Sequence, residues 1–132
     1  MARKLGFMGS TDVEAALIDM LTEHIRDIKQ KYTDCKHSKS GEELECAKTS
    51  WIDKDLPPWM MKLEQCVGKS GFSVGSKISL ADVSIYIFVN EFFDYIEGAK
   101  ASISSCPGLK AISDNVSLAA QSWLNSRPVT QL

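Results

Sequence analysis

The feature that most constrains the fold is a predicted helix from Ser79 to about Gly98, which is apolar on nearly every side. Its apolar residues are Leu80, Val83, Ile85, Ile87, Phe88, Val89, Phe92, Phe93 and Ile96. Such a helix has no face suited to water, so other elements must cover it. The segment also contains Asp82 and Ser84 and is shorter than the roughly 20 residues that cross a bilayer. We therefore expect a buried central helix in a water-soluble fold.

The rest of the chain shows helical periodicity. Apolar side chains recur three or four apart from Val13 to Tyr32, and Ser10 or Thr11 is suited to cap that helix. A second helical region is interrupted by Pro57 and Pro58, which lack the backbone N–H. The predicted helices span residues 12–32, 42–67, 79–98, 107–115 and 116–125. No stretch alternates as a strand does, so we predict an all-α fold with five to six helices packed around one buried central helix.

Composition excludes several classes of function. The chain has 132 residues, enough for one domain, and 15 Lys+Arg against 17 Asp+Glu give a net charge of −2. This balance argues against nucleic-acid and membrane-surface partners. The four cysteines form no CxxC pair, and Cys35 with His37 offers too few ligands for zinc, so no metal site is expected. With no export signal at the N-terminus, we expect free thiols and a cytoplasmic location.

The central helix opens with a capping box, Ser79-Leu80-Ala81-Asp82. In such a box the serine hydroxyl accepts from the backbone N–H of the aspartate, and the carboxylate accepts from the backbone N–H of the serine. Ile78 and Val83 are placed to form the accompanying hydrophobic staple. All four residues are expected to have a structural role, because buried helix-end donors must find protein partners.

Residues 74–82, Val-Gly-Ser-Lys-Ile-Ser-Leu-Ala-Asp, resemble the start of the central helix in the C-terminal domain of glutathione transferases. There the typical string is V-G-x-x-[hydrophobic]-[ST]-x-A-D. Residues 2–9 resemble the link after the N-terminal domain, and residues 14–19 resemble the start of the first helix. Residues 123–128 are similar to the end of sigma-class members, which include prostaglandin D synthase and squid lens crystallins. The resemblance thus covers essentially the whole chain in order.

The resemblance implies a division into residues 1–10, a remnant of an interdomain linker, and residues 11–132, the helical domain. Family members begin with a thioredoxin-like domain that binds most of glutathione and supplies the tyrosine or serine that activates its thiol. That domain is absent from this sequence, so we expect no catalytic residue here and no transferase activity of the chain alone. Glutathione would be a co-substrate only if a thioredoxin-like domain completed the site. Whether the chain is part of an enzyme stays open at this point.

Two groups of site residues are implied by the resemblance. The lining of the electrophile pocket would comprise Lys29, Ser84, Ile87, Phe88, Glu91 and Leu132. Asp27, with Glu23 one turn before it, matches the acidic residue that sigma-class dimers lend to the glutathione of the other subunit. A carboxylate there can pair with the ligand's α-ammonium. In this chain, however, a solvated helix face is the favoured interpretation of both acids.

Two functions of different classes remain. The first is a glutathione transferase C-terminal domain that works with a thioredoxin-like domain or as a homodimer through its first two long helices. The second is a non-catalytic helical module for protein interaction or ligand holding. In either case Trp51, Trp59 and Trp123 are expected as core or interface anchors, and Lys36, Lys39 and Lys48 as solvated charges.

Overall fold

In the computed structural model, which describes residues 1–126, helices account for all the regular secondary structure of that range. They are α1 (Asp12–His37), α2 (Gly41–Ser50), α3 (Leu56–Cys66), α4 (Leu80–Asn90), α5 (Ile96–Ile103), α6 (Pro107–Ala119) and α7 (Gln121–Ser126). A π-helical turn, Trp51–Asp55, joins α2 to α3, so these two form one bent helix. Counted in this way, residues 1–126 contain six helices and no strand, which confirms the predicted all-α class.

Helix α4 is the central element. It packs against α1, α5 and α6, and its residues Ile85, Phe88 and Val89 lie in the core. Ile87 is the exception on this helix, with 43% of its surface exposed. The apolar pattern therefore predicted the buried helix correctly, although one side of it faces solvent.

Helix α4 is shorter than predicted, because the chain leaves the helix at Glu91 rather than at Gly98. The Asn90 amide donates to the Tyr86 carbonyl (3.0 Å) and to the Ser113 hydroxyl (2.9 Å), which fixes this end against α6. Successive residues of a helix point about 100° apart. Leaving the helix lets Phe93 turn into the core instead, where 2% of its surface is exposed.

The bend between α2 and α3 follows from the two prolines. Pro57 and Pro58 cannot donate to the carbonyls one turn earlier, so the regular α pattern is lost there. The chain responds with a wider turn, in which the Leu56 N–H donates to the Trp51 carbonyl. The predicted kink is present, and it lies just before the prolines.

Other predicted helix ends were wrong. Helix α1 runs on to His37, beyond the predicted span of residues 12–32, and α6 continues to Ala119 rather than ending at Asn115. Val116 explains the second difference, since its burial keeps α6 against the core. The start of α1 is as expected: the Thr11 hydroxyl accepts from the Glu14 N–H at 3.1 Å.

The N-terminal segment lies against the start of α4. The Leu80 N–H donates to the Phe7 carbonyl at 2.9 Å, and the Met8 side chain is buried. This contact joins residues before α1 to the central helix. Of the helices in the described part of the chain, none is both long enough and apolar enough to cross a membrane.

Five rings form an aromatic cluster between α1, the π-helical turn and the end of α4. Its members are Tyr32, Trp51, Phe88, Phe92 and Phe93. The Tyr32 centroid is 5.1 Å from those of both Trp51 and Phe93, in tilted and edge-on arrangements that favour aromatic pairs. This cluster underlies the region where the sequence places its candidate pocket.

Candidate functional site

The start of α4 is built around a buried carboxylate. Asp82, 1% exposed, accepts from the Ser79 N–H at 2.8 Å as part of the capping box. The Ser79 hydroxyl also donates to it, at 2.6 Å. Ser73, nine residues earlier, donates to the same carboxylate through its N–H (2.8 Å) and its hydroxyl (3.0 Å). Four donors thus satisfy this carboxylate.

Ser73 was missed from the sequence because the capping box contains no signal for a third partner. It lies in a glycine-rich loop whose fold brings its N–H back to Asp82. Ile78 and Val83 are both half-buried at the helix start, and their staple contact stays a prediction.

Lys29 is the charged residue of the candidate pocket on α1. Its Nζ lies 5.1 Å from the centroid of the Phe92 ring, a distance typical of a cation–π contact. Burial lowers the pKa of Lys29. Within residues 1–126 this ammonium makes no ion pair, so its positive charge is available to a ligand.

The remaining pocket residues differ in their exposure. Ser84, Ile87 and Glu91 follow one another on one side of α4 and its end, spaced as neighbours on a helix surface. The Ser84 hydroxyl donates to the Leu80 carbonyl at 2.8 Å. Phe88 is fully buried. Its ring packs against that of Phe92, with 6.1 Å between the two centroids. Leu132 lies outside the described residues.

The two acids on α1 differ in their surroundings. Glu23 is paired with Arg26 at 2.8 Å on the same helix. Asp27 is exposed, and in the described part of the chain it has no ion-pair partner. Asp27 is therefore the acid better placed to meet an external ammonium group.

An ion-pair network joins α1, α2 and the segment after α4. Asp94 is 2.8 Å from the Lys36 Nζ and 3.5 Å from the Lys48 Nζ, and Lys48 also lies 2.9 Å from Glu45. The hydrogen bond from Lys36 holds the pKa of Asp94 below its usual range. Lys36 and Lys48 were expected to be solvated, which is wrong, because the partner that binds both lies far along the sequence.

A further contact that the sequence did not reveal fixes the start of α6. The Glu64 carboxylate accepts from the backbone N–H groups of Gly108 (2.8 Å) and Leu109 (2.9 Å). A cavity of about 660 Å³ lies beside it. Its lining includes Glu64, Val67, Lys69 and Pro107 and none of the predicted pocket residues.

Chemically, the α1–α4 region offers an aromatic surface and an ammonium group that forms no ion pair within the described part of the chain. It can hold an apolar ligand and attract a negative group, but its serine hydroxyl is already engaged with the backbone. Residues 1–126 contain no group of three or more possible metal ligands. Trp123, expected as an anchor, has 61% of its surface exposed, while Trp51 lies in the core.

A family model described as "Glutathione S-transferase, C-terminal domain" matches residues 26–127. Among curated proteins, glutathione S-transferase P 10 of Caenorhabditis elegans is 33% identical over 88 residues, covering 65% of this chain and 40% of that protein. Glutathione S-transferase P of Bos taurus is 28% identical over 124 residues, covering 84% of this chain and 57% of that protein. The chain thus spans about half the length of these relatives.

Solved structures share the fold. A monomeric glutathione S-transferase of the hookworm Necator americanus aligns with a TM-score of 0.77 at 23% identity, over 99% of this chain and 66% of that one. The pi-class glutathione S-transferase of Onchocerca volvulus aligns with a TM-score of 0.71 at 24% identity, over 98% of this chain and 64% of that one. At these identities the likeness concerns the helical fold.

Proposed function

This chain belongs to the glutathione S-transferase C-terminal domain family, and from that premise we propose that it supplies electrophile-pocket and dimer-interface surface for glutathione conjugation without being catalytic alone. The observation that carries the proposal is Lys29, which lies over Phe92 above the aromatic cluster and has no ion-pair partner among residues 1–126. The second substrate would lie there, against the exposed side of α4.

Two hydroxyl groups of the α1–α4 region support the proposed dependence on a second domain. A glutathione thiol is mostly protonated at neutral pH and needs a positioned donor to stabilise its thiolate. Tyr32 cannot serve, because its hydroxyl is buried and burial raises its pKa. The Ser84 hydroxyl donates to the backbone. We infer that a thioredoxin-like domain provides the activating group and that glutathione is the co-substrate of the completed site.

The test uses the chain alone and the chain fused to the thioredoxin-like domain of a relative. We expect conjugation of a chlorinated nitrobenzene, and retention on glutathione-agarose, by the fusion but not by the chain alone. In the fusion, Lys29→Met should raise the KM for the electrophile. Lys31→Met is the matched control, since its ammonium lies over Trp59 instead, 5.6 Å from that ring.

Rapid conjugation by the isolated chain would overturn the claim that it is not catalytic alone. A fusion that folds and binds glutathione, but in which Lys29→Met and Lys31→Met behave alike, would overturn the pocket assignment. Circular dichroism of each variant establishes that the fold is intact.

We further propose that the chain forms a homodimer through α1 and the bent α2–α3 helix, with Asp27 pairing with the α-ammonium of glutathione held by the other subunit. The exposure of Asp27 and its lack of an ion pair in residues 1–126 support this role. Light scattering should show a dimer, and Asp27→Asn should raise the KM for glutathione in the fusion. Asp19→Asn, on the same helix, is the control. A strictly monomeric fusion with an unchanged KM would contradict the proposal.

We propose the sigma class within the family, on the basis of the sequence of residues 123–128. We also propose a cytoplasmic location. The curated relatives above carry the name P, which favours the pi class instead. A fusion that isomerises prostaglandin H to prostaglandin D would support the sigma assignment. Conjugating activity without isomerase activity would support the pi class.

A stand-alone binding module is the second candidate function. Val13, Leu17 and Met20 are 71%, 41% and 45% exposed on α1, and their spacing places them on one side of that helix. Exposed apolar stripes of this kind commonly mark interfaces. A fusion without conjugating activity, combined with self-association that Leu17→Glu abolishes, would favour this function.

A further inference from the structure

The segment of residues 91–95 connects α4 to α5, and backbone hydrogen bonds join only its two ends to these helices, from the Glu91 N–H to the Ile87 carbonyl and from the Ala99 N–H to the Tyr95 carbonyl, among residues 1–126. In the described part of the chain, the N–H groups of residues 92–95 donate to no backbone carbonyl. Segments without backbone hydrogen bonds are the parts of a protein that open at low free-energy cost. What keeps this segment in place is therefore its side-chain contacts.

Phe93 and Asp94 are the side chains of the segment that bind it most directly to the core and to α1 and α2. Phe93 is buried in the aromatic cluster, with its centroid 5.1 Å from those of Tyr32 and Phe88. Asp94, the next residue, pairs with Lys36 on α1 and Lys48 on α2. The ion pairs thus tie the segment to two other helices directly beside the ring that it buries.

One group opposes the closed arrangement. The Tyr32 hydroxyl is buried and makes no hydrogen bond within residues 1–126. A buried hydroxyl without a partner loses the hydrogen bonds that it would make with water. Burial raises the pKa of Tyr32, and the nearby Asp94 carboxylate raises it further. The two groups do not meet in the geometry of a hydrogen bond. Opening the segment would admit water to this hydroxyl.

We propose that residues 91–95 act as a latch over the aromatic cluster. The Asp94 ion pairs and Phe93 keep it closed, and the Tyr32 hydroxyl, which has no hydrogen-bond partner in residues 1–126, destabilises it. In the open state the cluster is accessible from the side of α1 and α2. Since Phe92 lies beneath Lys29, opening also changes the floor of the proposed pocket. The inference goes beyond the proposed function, because the motion needs neither glutathione nor an electrophile.

The test follows the accessibility of Trp51, which is buried next to Tyr32 and Phe93. Trp59 and Trp123 are replaced by phenylalanine, so that Trp51 is the remaining tryptophan and its quenching by acrylamide reports the open state. Asp94→Asn should raise the quenching constant about threefold, the size of effect that a half-exposed ion pair supports. Tyr32→Phe keeps the ring, removes the hydroxyl and should lower the quenching constant.

Asp114→Asn is the matched control, because Asp114 forms an exposed ion pair with Lys110 at 3.9 Å, away from the cluster. It should leave the quenching of Trp51 unchanged. If Asp94→Asn fails to fold, Lys36→Gln breaks the same pair from the other side. Equal quenching in the wild type and in the ion-pair variant would overturn the latch, as would increased quenching in Tyr32→Phe. These measurements use no substrate, so a failed conjugation assay leaves their result unaffected.

Discussion

Replacing Asp82 with alanine should destabilise the fold strongly. The substitution removes one acceptor group from four donors, two of them backbone N–H groups on Ser73 and Ser79. The two serine hydroxyls lie 3.3 Å apart and can turn towards each other, whereas the two N–H groups lose the acceptor that Asp82 provides. An unsatisfied buried donor costs about 1–2 kcal/mol. The loss is therefore about 2–4 kcal/mol, more than the roughly 1 kcal/mol typical of an N-cap alone.

Thermal and urea unfolding followed by circular dichroism measure this loss. For a domain of this size, about 3 kcal/mol corresponds to a decrease in Tm of roughly 10 °C. Asp114→Ala is the control on α6, since its carboxylate is exposed and its loss should change stability by less than about 0.5 kcal/mol. The control should have a Tm within about 2 °C of that of the wild type. If the Tm of Asp82→Ala also lies in that range, the two N–H groups are not left without partners and the expected loss is wrong.

Other measurements address contacts elsewhere in the fold. Glu64→Ala should lower stability by about 1–2 kcal/mol in urea unfolding, because the Gly108 N–H and its neighbour lose their acceptor; an unchanged midpoint would argue against the cap. The pKa of Asp94 is held below its unfolded value of 3.8, so its stabilisation is present above that pH and is lost as the pH falls through the folded pKa. In Asp94→Asn the free energy of unfolding should therefore fall less steeply as the pH is lowered below 3.8. An unchanged dependence on pH would contradict the ion pair. Burial raises the pKa of the Cys106 thiol, so a disulfide reagent should label it far more slowly than the exposed Cys46; equal rates would show that Cys106 is accessible.

The sequence predicted the elements whose signals are local. The apolar run of residues 80–96 identified the central helix, and the Ser79–Asp82 box located its start to the residue. The end of that helix was not predictable, because residues 90–95 contain neither proline nor glycine. The helix stops where burying Phe93 outweighs continuing the helix, which is a property of the assembled core.

The contacts that shape the candidate site lie far apart in the chain. Asp94 pairs with Lys36 across 58 residues, and Glu64 reaches Gly108 across 44. Helical periodicity carries no information about contacts over such distances. Lys36 and Lys48, which the sequence suggested were solvated, are therefore found in ion pairs. The family resemblance correctly predicted the fold. Of the pocket residues that it implied, Ile87 lies at the surface and Phe88 lies in the core.

The wide turn at Trp51–Asp55 takes up one residue more than an α turn and leads directly into α3. Met60 and Leu63, which follow it, face the core. Without the extra residue, Pro57 and Pro58 would lie in regular α geometry, where a proline ring clashes with the carbonyl of the residue four positions earlier. The turn therefore lets one bent helix contain two prolines in its interior and still present its apolar side chains to the core.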